Sequence, residues 1–251
     1  MRKFFAIIFF FILDFSARSE IITFAARSMT GIAGSKTDTT ILNGNAKVTT
    51  ESMIISADSI EISGDDFRYI IAQGNVSGKN TESDLDFTCG RIKYDRKTKI
   101  ALLEDKVLMK DNENAVTADA QIIEYNQNTE IATMQIEVTI KQKDNVCTSA
   151  YAVYRKKNQM LEMSGNPKIV QGQDSFRAQE ITLNLDTQEI KLDGRVSGSV
   201  TDTSDDSKSS EQNTKNEQKN QSAPSETPEI SNDETKSEPQ IEETDADGDA
   251  Q

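Results

Sequence analysis

Between Asp38 and Val200, apolar and polar residues alternate in short runs rich in Val, Ile, Thr and Tyr. This is the period-two signature of half-buried strands, and no stretch holds an apolar stripe of helical period. The alternation is punctuated regularly. Asn43-Gly44-Asn45, Gln73-Gly74-Asn75, Glu104-Asp105-Lys106, Gln135-Ile136-Glu137, Ser164-Gly165-Asn166 and Asp193-Gly194-Arg195 recur with their middle residues 30, 31, 31, 29 and 29 positions apart. A fixed period of that length marks a structural repeat. Aligned on these points, one face is apolar in every copy: Leu42/Ala46/Val48, Ala72/Val76, Leu103/Val107/Met109, Met134/Val138/Ile140, Met163/Pro167/Ile169 and Leu192/Val196. Glycine holds the central position in four of the six copies, which permits a bend.

The second half of each unit changes phase. Ile55 and Ala57 give way to Ile60 and Ile62, Phe87 and Cys89 to Ile92 and Tyr94, and Ala118 and Ala120 to Ile123 and Tyr125. Cys147 and Ser149 before Ala152 and Tyr154, and Phe176 and Ala178 before Ile181 and Leu183, repeat the shift. Side chains alternate with period two, so an odd step needs a bulge or corner if the apolar face is to stay inward. Polar clusters such as Asp95-Arg96-Lys97-Thr98, Asn126-Gln127-Asn128-Thr129 and Asp186-Thr187-Gln188 then turn the chain back. The pattern predicts an all-β, elongated stack of bent antiparallel strands, about five to six two-strand repeats, around a shared apolar inner surface. That surface is either open inside or packed dry on itself.

Both ends differ from this stretch. Arg2 and Lys3 followed by the apolar run Phe4 to Leu13 read as an export signal within a leader of residues 1–28. The run is shorter than the roughly 20 apolar residues that span a bilayer; a retained membrane anchor is the alternative. Ala17-Arg18-Ser19 and Ala26-Arg27-Ser28 both offer a cleavage point, and the first cysteine is Cys89, which argues against a lipid-modified amino terminus. Residues 201–251 hold Ile230 and Ile241 as their only aliphatic side chains larger than alanine, with fifteen acids against four lysines. Such a segment cannot bury a core and is expected to be a disordered acidic tail. It carries −11 of the total −14, which leaves −3 for the rest. The acidity therefore belongs to the tail and excludes only a nucleic-acid partner.

With no histidine in the chain, zinc and imidazole chemistry lose their usual ligands. Asp65-Asp66 beside Gly64 reads as a solvated turn, since paired-carboxylate catalysis needs two groups held across one substrate. Asp58 and Asp119 repeat a place in different units, as a repeat produces without catalysis. No phosphate-binding glycine loop and no nucleophile with an adjacent base can be assembled. Arg155-Lys156-Lys157 reads as a solvated turn, with attraction to a phosphorylated headgroup the weaker alternative. No enzymatic activity and no cofactor is expected.

Ile71-Ala72-Gln73-Gly74-Asn75-Val76, Ala57-Asp58-Ser59-Ile60, Ala118-Asp119-Ala120 and Ile92-Lys93-Tyr94-Asp95 followed by Thr98 resemble the OstA-like family, over roughly Asp38 to Val200. The best-known member of that family is the periplasmic bridge protein of lipopolysaccharide transport. The resemblance implies a bent, taco-like antiparallel jelly-roll whose apolar groove holds acyl chains as lipid passes from an inner-membrane complex to an outer-membrane one. The lining would be Val48, Ile60, Ile62, Val76, Ile92, Tyr94, Val107, Met109, Ile123, Tyr125, Val138, Ile140, Met163, Ile181 and Leu183. It also implies head-to-tail self-association through edge strands. The acidic tail departs from the family pattern and puts unlimited polymerisation in doubt. A membrane-tethered adaptor of the same system, a dry structural β-solenoid and a carbohydrate-active β-helix are the rival readings; the last would need carboxylates clustered on one exposed face.

Cys89 and Cys147 lie two units apart, and strands neighbour at about 4.8 Å, so their sulfurs should be on the order of 10 Å apart or more. A disulfide needs Cα atoms within about 7 Å. Alkylation of the unfolded protein without reductant should therefore modify both thiols; a protein in which neither reacts would carry the bridge.

Overall fold

The computed structural model describes residues 21–31 and 39–201. Of the expected leader of residues 1–28, residues 1–20 lie outside them and residues 21–28 within; the acidic tail from residue 202 lies outside. The described chain is almost wholly strand: β1 Thr23–Ala25, β2 Ser28–Thr30, β3 Thr40–Thr49, β4 Met53–Ser63, β5 Tyr69–Asn80, β6 Leu85–Asp95, β7 Ile100–Asp111, β8 Val116–Asn126, β9 Ile131–Gln142, β10 Asn145–Arg155, β11 Met160–Ser164, β12 Lys168–Gln171, β13 Asp174–Arg177, β14 Glu180–Asn184, β15 Ile190–Asp193 and β16 Ser197–Ser199. Two single-turn 3-10 segments, Asp65–Phe67 and Lys156–Asn158, interrupt them. All sixteen strands belong to one antiparallel sheet, in which β3 to β10 follow one another as successive hairpins.

Every long strand bends at its middle. From β3/β4 to β9/β10 each of the seven ladders loses register at the same level. The surplus residues are the punctuation points of the sequence. Gly44 and Asn45 have φ of 77° and 48°, and Gly74 and Asn75 of 75° and 47°. Asp105 and Lys106 have 67° and 53°, and Ile136 and Glu137 65° and 55°; Gly165-Asn166 and Gly194-Arg195 complete the series at positive φ. Two consecutive left-handed residues opposite a shorter partner segment turn the strand while the residues on either side keep one face inward. Each unit thus contributes to two arms joined along a spine. One holds Tyr94, Tyr125 and Tyr154 and the other Cys89 and Cys147; they are called here the tyrosine and cysteine arms.

Crowding at the spine explains the glycines. A Cβ on Gly74 would stand 2.5 Å from Asp58 Oδ2, one on Gly165 2.7 Å from the Ala150 Cβ, and one on Gly194 2.1 Å from Gln179 Oε1. At the third corner the arrangement is reversed. Asp105 carries the side chain, and the glycine is Gly90 on the neighbouring strand, where a Cβ would lie 2.6 Å from the Asp105 Cβ.

Towards the carboxyl end the arms separate. The strand that carries the fifth corner is split into β11 on the tyrosine arm and β12 on the cysteine arm, as are β14 with β13 and β15 with β16. Gly165-Asn166-Pro167 lies at the first split, and a proline cannot donate to the ladder there. At the other end, β1 and β2 cap β3 in the same divided manner, each pairing with one arm.

Gln121, not glycine, occupies the even-strand position beside Ile136, where it donates from Nε2 to Glu137 Oε2 at 2.8 Å. Ile136 is therefore a β-branched residue held at φ 65° and 53% exposed. Left-handed backbone costs such a residue about 1–2 kcal/mol, partly offset by the greater freedom of glycine in the unfolded chain. Ile136→Gly should stabilise the protein by about 0.5–1 kcal/mol and Gly74→Ala should destabilise it by about 1–2 kcal/mol, both measured by denaturant unfolding. A stabilised Gly74→Ala would refute this account of the spine.

Candidate functional site

All fifteen inner-face positions inferred from the sequence lie in the interior, none more than 4% exposed. Ile60, Ile62, Ile92, Tyr94, Ile123, Tyr125, Met163, Ile181 and Leu183 come from the tyrosine arm, and Val48, Val76, Val107, Met109, Val138 and Ile140 from the cysteine arm. They belong to a single apolar cluster that runs from Leu42 to Leu185. The arms close on one another in this structure. Even the gap left by Gly78 is filled, by the ring of Phe87 on the paired strand, whose Cζ lies 2.3 Å from where a Cβ would stand. Cys89 and Cys147 are buried and free, and burial pushes both thiols up to about 12. The last apolar column departs from expectation: Leu192 is only partly buried and Val196 is 56% exposed, since among the described residues no further unit packs over β15 and β16.

Opposite the spine, the free ends of the arms meet along a mouth lined by polar side chains. Tyr94 on β6 donates from its hydroxyl to Gln127 Oε1 at 2.7 Å, and its oxygen lies 3.4 Å from Ser52 Oγ. Gln127 Nε2 in turn donates to Ser52 Oγ at 3.4 Å. Further along, Tyr154 donates to Asp111 Oδ2 at 2.8 Å, and Asn114 Nδ2 donates to the same oxygen and to the tyrosine hydroxyl. Lys156 Nζ donates to Asp111 Oδ1 at 2.9 Å and also to Glu113. A third group joins Gln188 to Gln142 and Asn145. The contacts that cross from one arm to the other are those of Ser52 with Tyr94 and Gln127, of Tyr154 and Lys156 with Asp111, Glu113 and Asn114, and of Gln188 with Gln142 and Asn145, and all of them are between side chains.

These mouth residues are what sequence reasoning missed. Thr50, Asn80, Asp111 and Gln142 recur at the repeat period on the inward parity, two residues beyond Val48, Gly78, Met109 and Ile140, and all four are buried. That parity was the available signal. The reading of Lys156 as a solvated turn residue is corrected: it is 4% exposed and its partner Asp111 is 1% exposed. Arg155 does face solvent, paired with Glu162 at 3.3 Å, and Asp65 and Asp66 are exposed as expected.

Burial alone would raise the Asp111 carboxyl; the bonds from Lys156, Asn114 and Tyr154 outweigh it and hold the group below its ordinary value of 3.8. Burial likewise would lower the Lys156 ammonium, but Glu113 and Asp111 leave it raised. An aspartate that binds protons less readily folded than unfolded stabilises above its ordinary value and loses that contribution as pH falls through the lower folded one. Lys156→Met should cost about 3 kcal/mol at neutral pH by stranding a buried carboxylate. The gap in melting temperature from the parent should narrow below pH 3.8; a gap independent of pH would contradict the pairing.

Among the described residues, no group of three or more His, Cys, Asp or Glu is placed to hold a metal ion, and no helix is long and apolar enough to cross a membrane. No curated protein matches the chain. A solved structure with some likeness is LptH from Pseudomonas aeruginosa, described as the LptA-homologous periplasmic component of the conserved lipopolysaccharide transport device. It is 10% identical over 74% of this chain and 98% of its own, with a TM-score of 0.22, a value at which the superposition supports nothing further. The sequence itself is more telling, because residues 18–178 match the family model described as OstA-like protein. That match runs from before β1 to just past β13, through the whole run of full-length bent strands, and the chain belongs to the OstA-like family.

Proposed function

We propose that the chain is a non-catalytic periplasmic carrier that takes lipopolysaccharide or a related envelope glycolipid toward the outer membrane, with acyl chains held between the two arms. The observation that carries this reading is the asymmetry of the interior. One continuous apolar cluster is bounded by a backbone-bonded spine on one side and by side-chain contacts alone on the other. Parting the arms at the mouth would leave the sheet intact, and hydrocarbon would replace the apolar contacts that the arms give up. The net cost of opening is then the polar bonds, about 0.5–1.5 kcal/mol for each neutral one. Burying a twelve-carbon chain returns roughly 9 kcal/mol at about 0.8 kcal/mol per methylene. Family membership agrees with this use of the interior.

The partners in this reading are membrane components that load and unload the lipid. The divided end strands also offer unpaired backbone for edge-to-edge pairing with another sheet, next to exposed Phe24 and Met29 at one end and Val196 and Val200 at the other. An acidic tail following β16 would oppose unlimited stacking. A second reading, a dry structural β-solenoid, is favoured by the filled interior; a membrane-tethered adaptor with the same fold differs only in retaining the Phe4 to Leu13 segment.

Gentle purification followed by lipid extraction and mass spectrometry separates these readings. Glycolipid should accompany the parent protein and be depleted in Ile140→Asn, with circular dichroism confirming that the variant remains folded. Lipid absent from the parent protein would favour the dry solenoid.

A further inference from the structure

The mouth is built in rungs at the repeat period, and of the three tyrosine rungs the middle one is unfinished. Tyr94, Tyr125 and Tyr154 occupy equivalent places on β6, β8 and β10, facing the turn residues Ser52, Ser83 and Asn114 of the cysteine arm. The outer two hydroxyls are bonded as described. The hydroxyl of Tyr125, itself 4% exposed, has no hydrogen-bond partner, and neither has Nδ2 of Asn80, 1% exposed. Ser83 links the two. Its backbone N–H donates to Asn80 Oδ1 at 3.1 Å, and its hydroxyl lies beside Tyr125 without completing a bond of normal geometry.

The orientation of the Asn80 amide is set by its surroundings. Its oxygen accepts from the N–H groups of Glu82 and Ser83, so the donor nitrogen must point away from the turn. Gln127 supplies the acceptor that completes the Tyr94 rung. Its counterpart one unit on is Lys156, which is committed to Asp111 and Glu113 and in any case carries only donors. A rung with two buried donors that complete no bond of normal geometry is costly as it stands, about 1–3 kcal/mol per unsatisfied group. It is complementary to an oxygen that brings lone pairs. Burial pushes the Tyr125 hydroxyl up to about 12, so it remains a donor at physiological pH.

We propose that Tyr125 and Asn80 bind the carbonyl oxygen of an acyl ester or amide, the linkage that joins a fatty chain to a polar headgroup. The inference rests on the acyl-binding reading of the interior and assigns that reading a polar contact. The position suits the chemistry. In an acylated amphiphile the carbonyl lies at the boundary between hydrocarbon and headgroup, and this rung lies between the apolar cluster and the turns of the mouth. Ether-linked or glycosidic alkyl chains would fill the interior equally well and leave the two donors unsatisfied.

The test compares sucrose monododecanoate, which has an ester carbonyl, with dodecyl maltoside, which has none. Both are titrated below their micelle concentrations, by displacement of a fluorescent apolar probe, against the parent protein, Tyr125→Phe and Tyr154→Phe. The parent should prefer the ester by about 3- to 10-fold, the worth of one or two neutral hydrogen bonds. Tyr125→Phe should lose that preference, keep its affinity for dodecyl maltoside and melt no lower than the parent. Tyr154→Phe, which breaks a bond already made, should melt lower and keep the preference. An ester preference unchanged in Tyr125→Phe, or a melting loss as large as that of Tyr154→Phe, would overturn the assignment alone. Failure of both amphiphiles to bind the parent would overturn the acyl-binding reading and the assignment with it.

Discussion

A β-strand that turns a corner ordinarily rotates its apolar face away from the core, because inward and outward side chains alternate without exception along a regular strand. Here two consecutive left-handed residues, recurring six times, absorb the turn, so that Leu42 and Ala46, or Leu103 and Val107, face the same interior from different arms. The rest of the architecture follows from the alignment of these corners. Since all seven ladders from β3/β4 to β9/β10 shift register at the same level, the corners form one spine and the arms enclose one space. The pattern of glycines follows as well. At four corners the left-handed pair begins with glycine, at the third the glycine is the facing Gly90 on β6, and at the fourth glycine is absent from both strands and Ile136 takes the strain.

The two long boundaries of the interior differ in kind. The spine is backbone, where strands paired on either side shift register together, with almost no room for a side chain, as the close approaches to Gly74 and Gly165 indicate. The mouth is a row of tyrosine, glutamine, asparagine and serine side chains with one buried ion pair. Tyrosine suits the position because it carries an apolar ring into the interior and a polar tip to the rim. Lys156 and Asp111 are a different matter. Their bond closes the mouth firmly at one point, and desolvation offsets much of what their attraction returns.

Much of this was legible in the sequence. The period located all six corners, including Asp105 and Ile136, where composition offered no glycine to mark them, and the aligned columns together with the phase change in the even strands put fifteen residues on the inward face, where all are buried. The mouth was not legible, for a definite reason. A polar residue near a turn is ordinarily solvated, and nothing local distinguishes Asp111 or Lys156 from Lys110 or Lys157. Their partners across the mouth come from 43 to 45 residues away, and only the arms meeting in space brings them together. The split of the late strands was likewise hidden, because it depends on two arms diverging where Pro167 removes a ladder donor, not on any change in alternation.

The same difference in sequence distance bears on the order of assembly. Hairpins from β3 to β10 join neighbours in the chain, and their loop-closure entropy is small and incurred stepwise. Contacts across the mouth span much longer stretches and depend on both arms already existing. The sheet can therefore complete its backbone bonding as an open trough, with Tyr94, Tyr125 and Tyr154 on one lip, before the lips meet. Closure in that order would make no new backbone bond, and an occupant of the trough would be enclosed without the chain having to unfold to admit it.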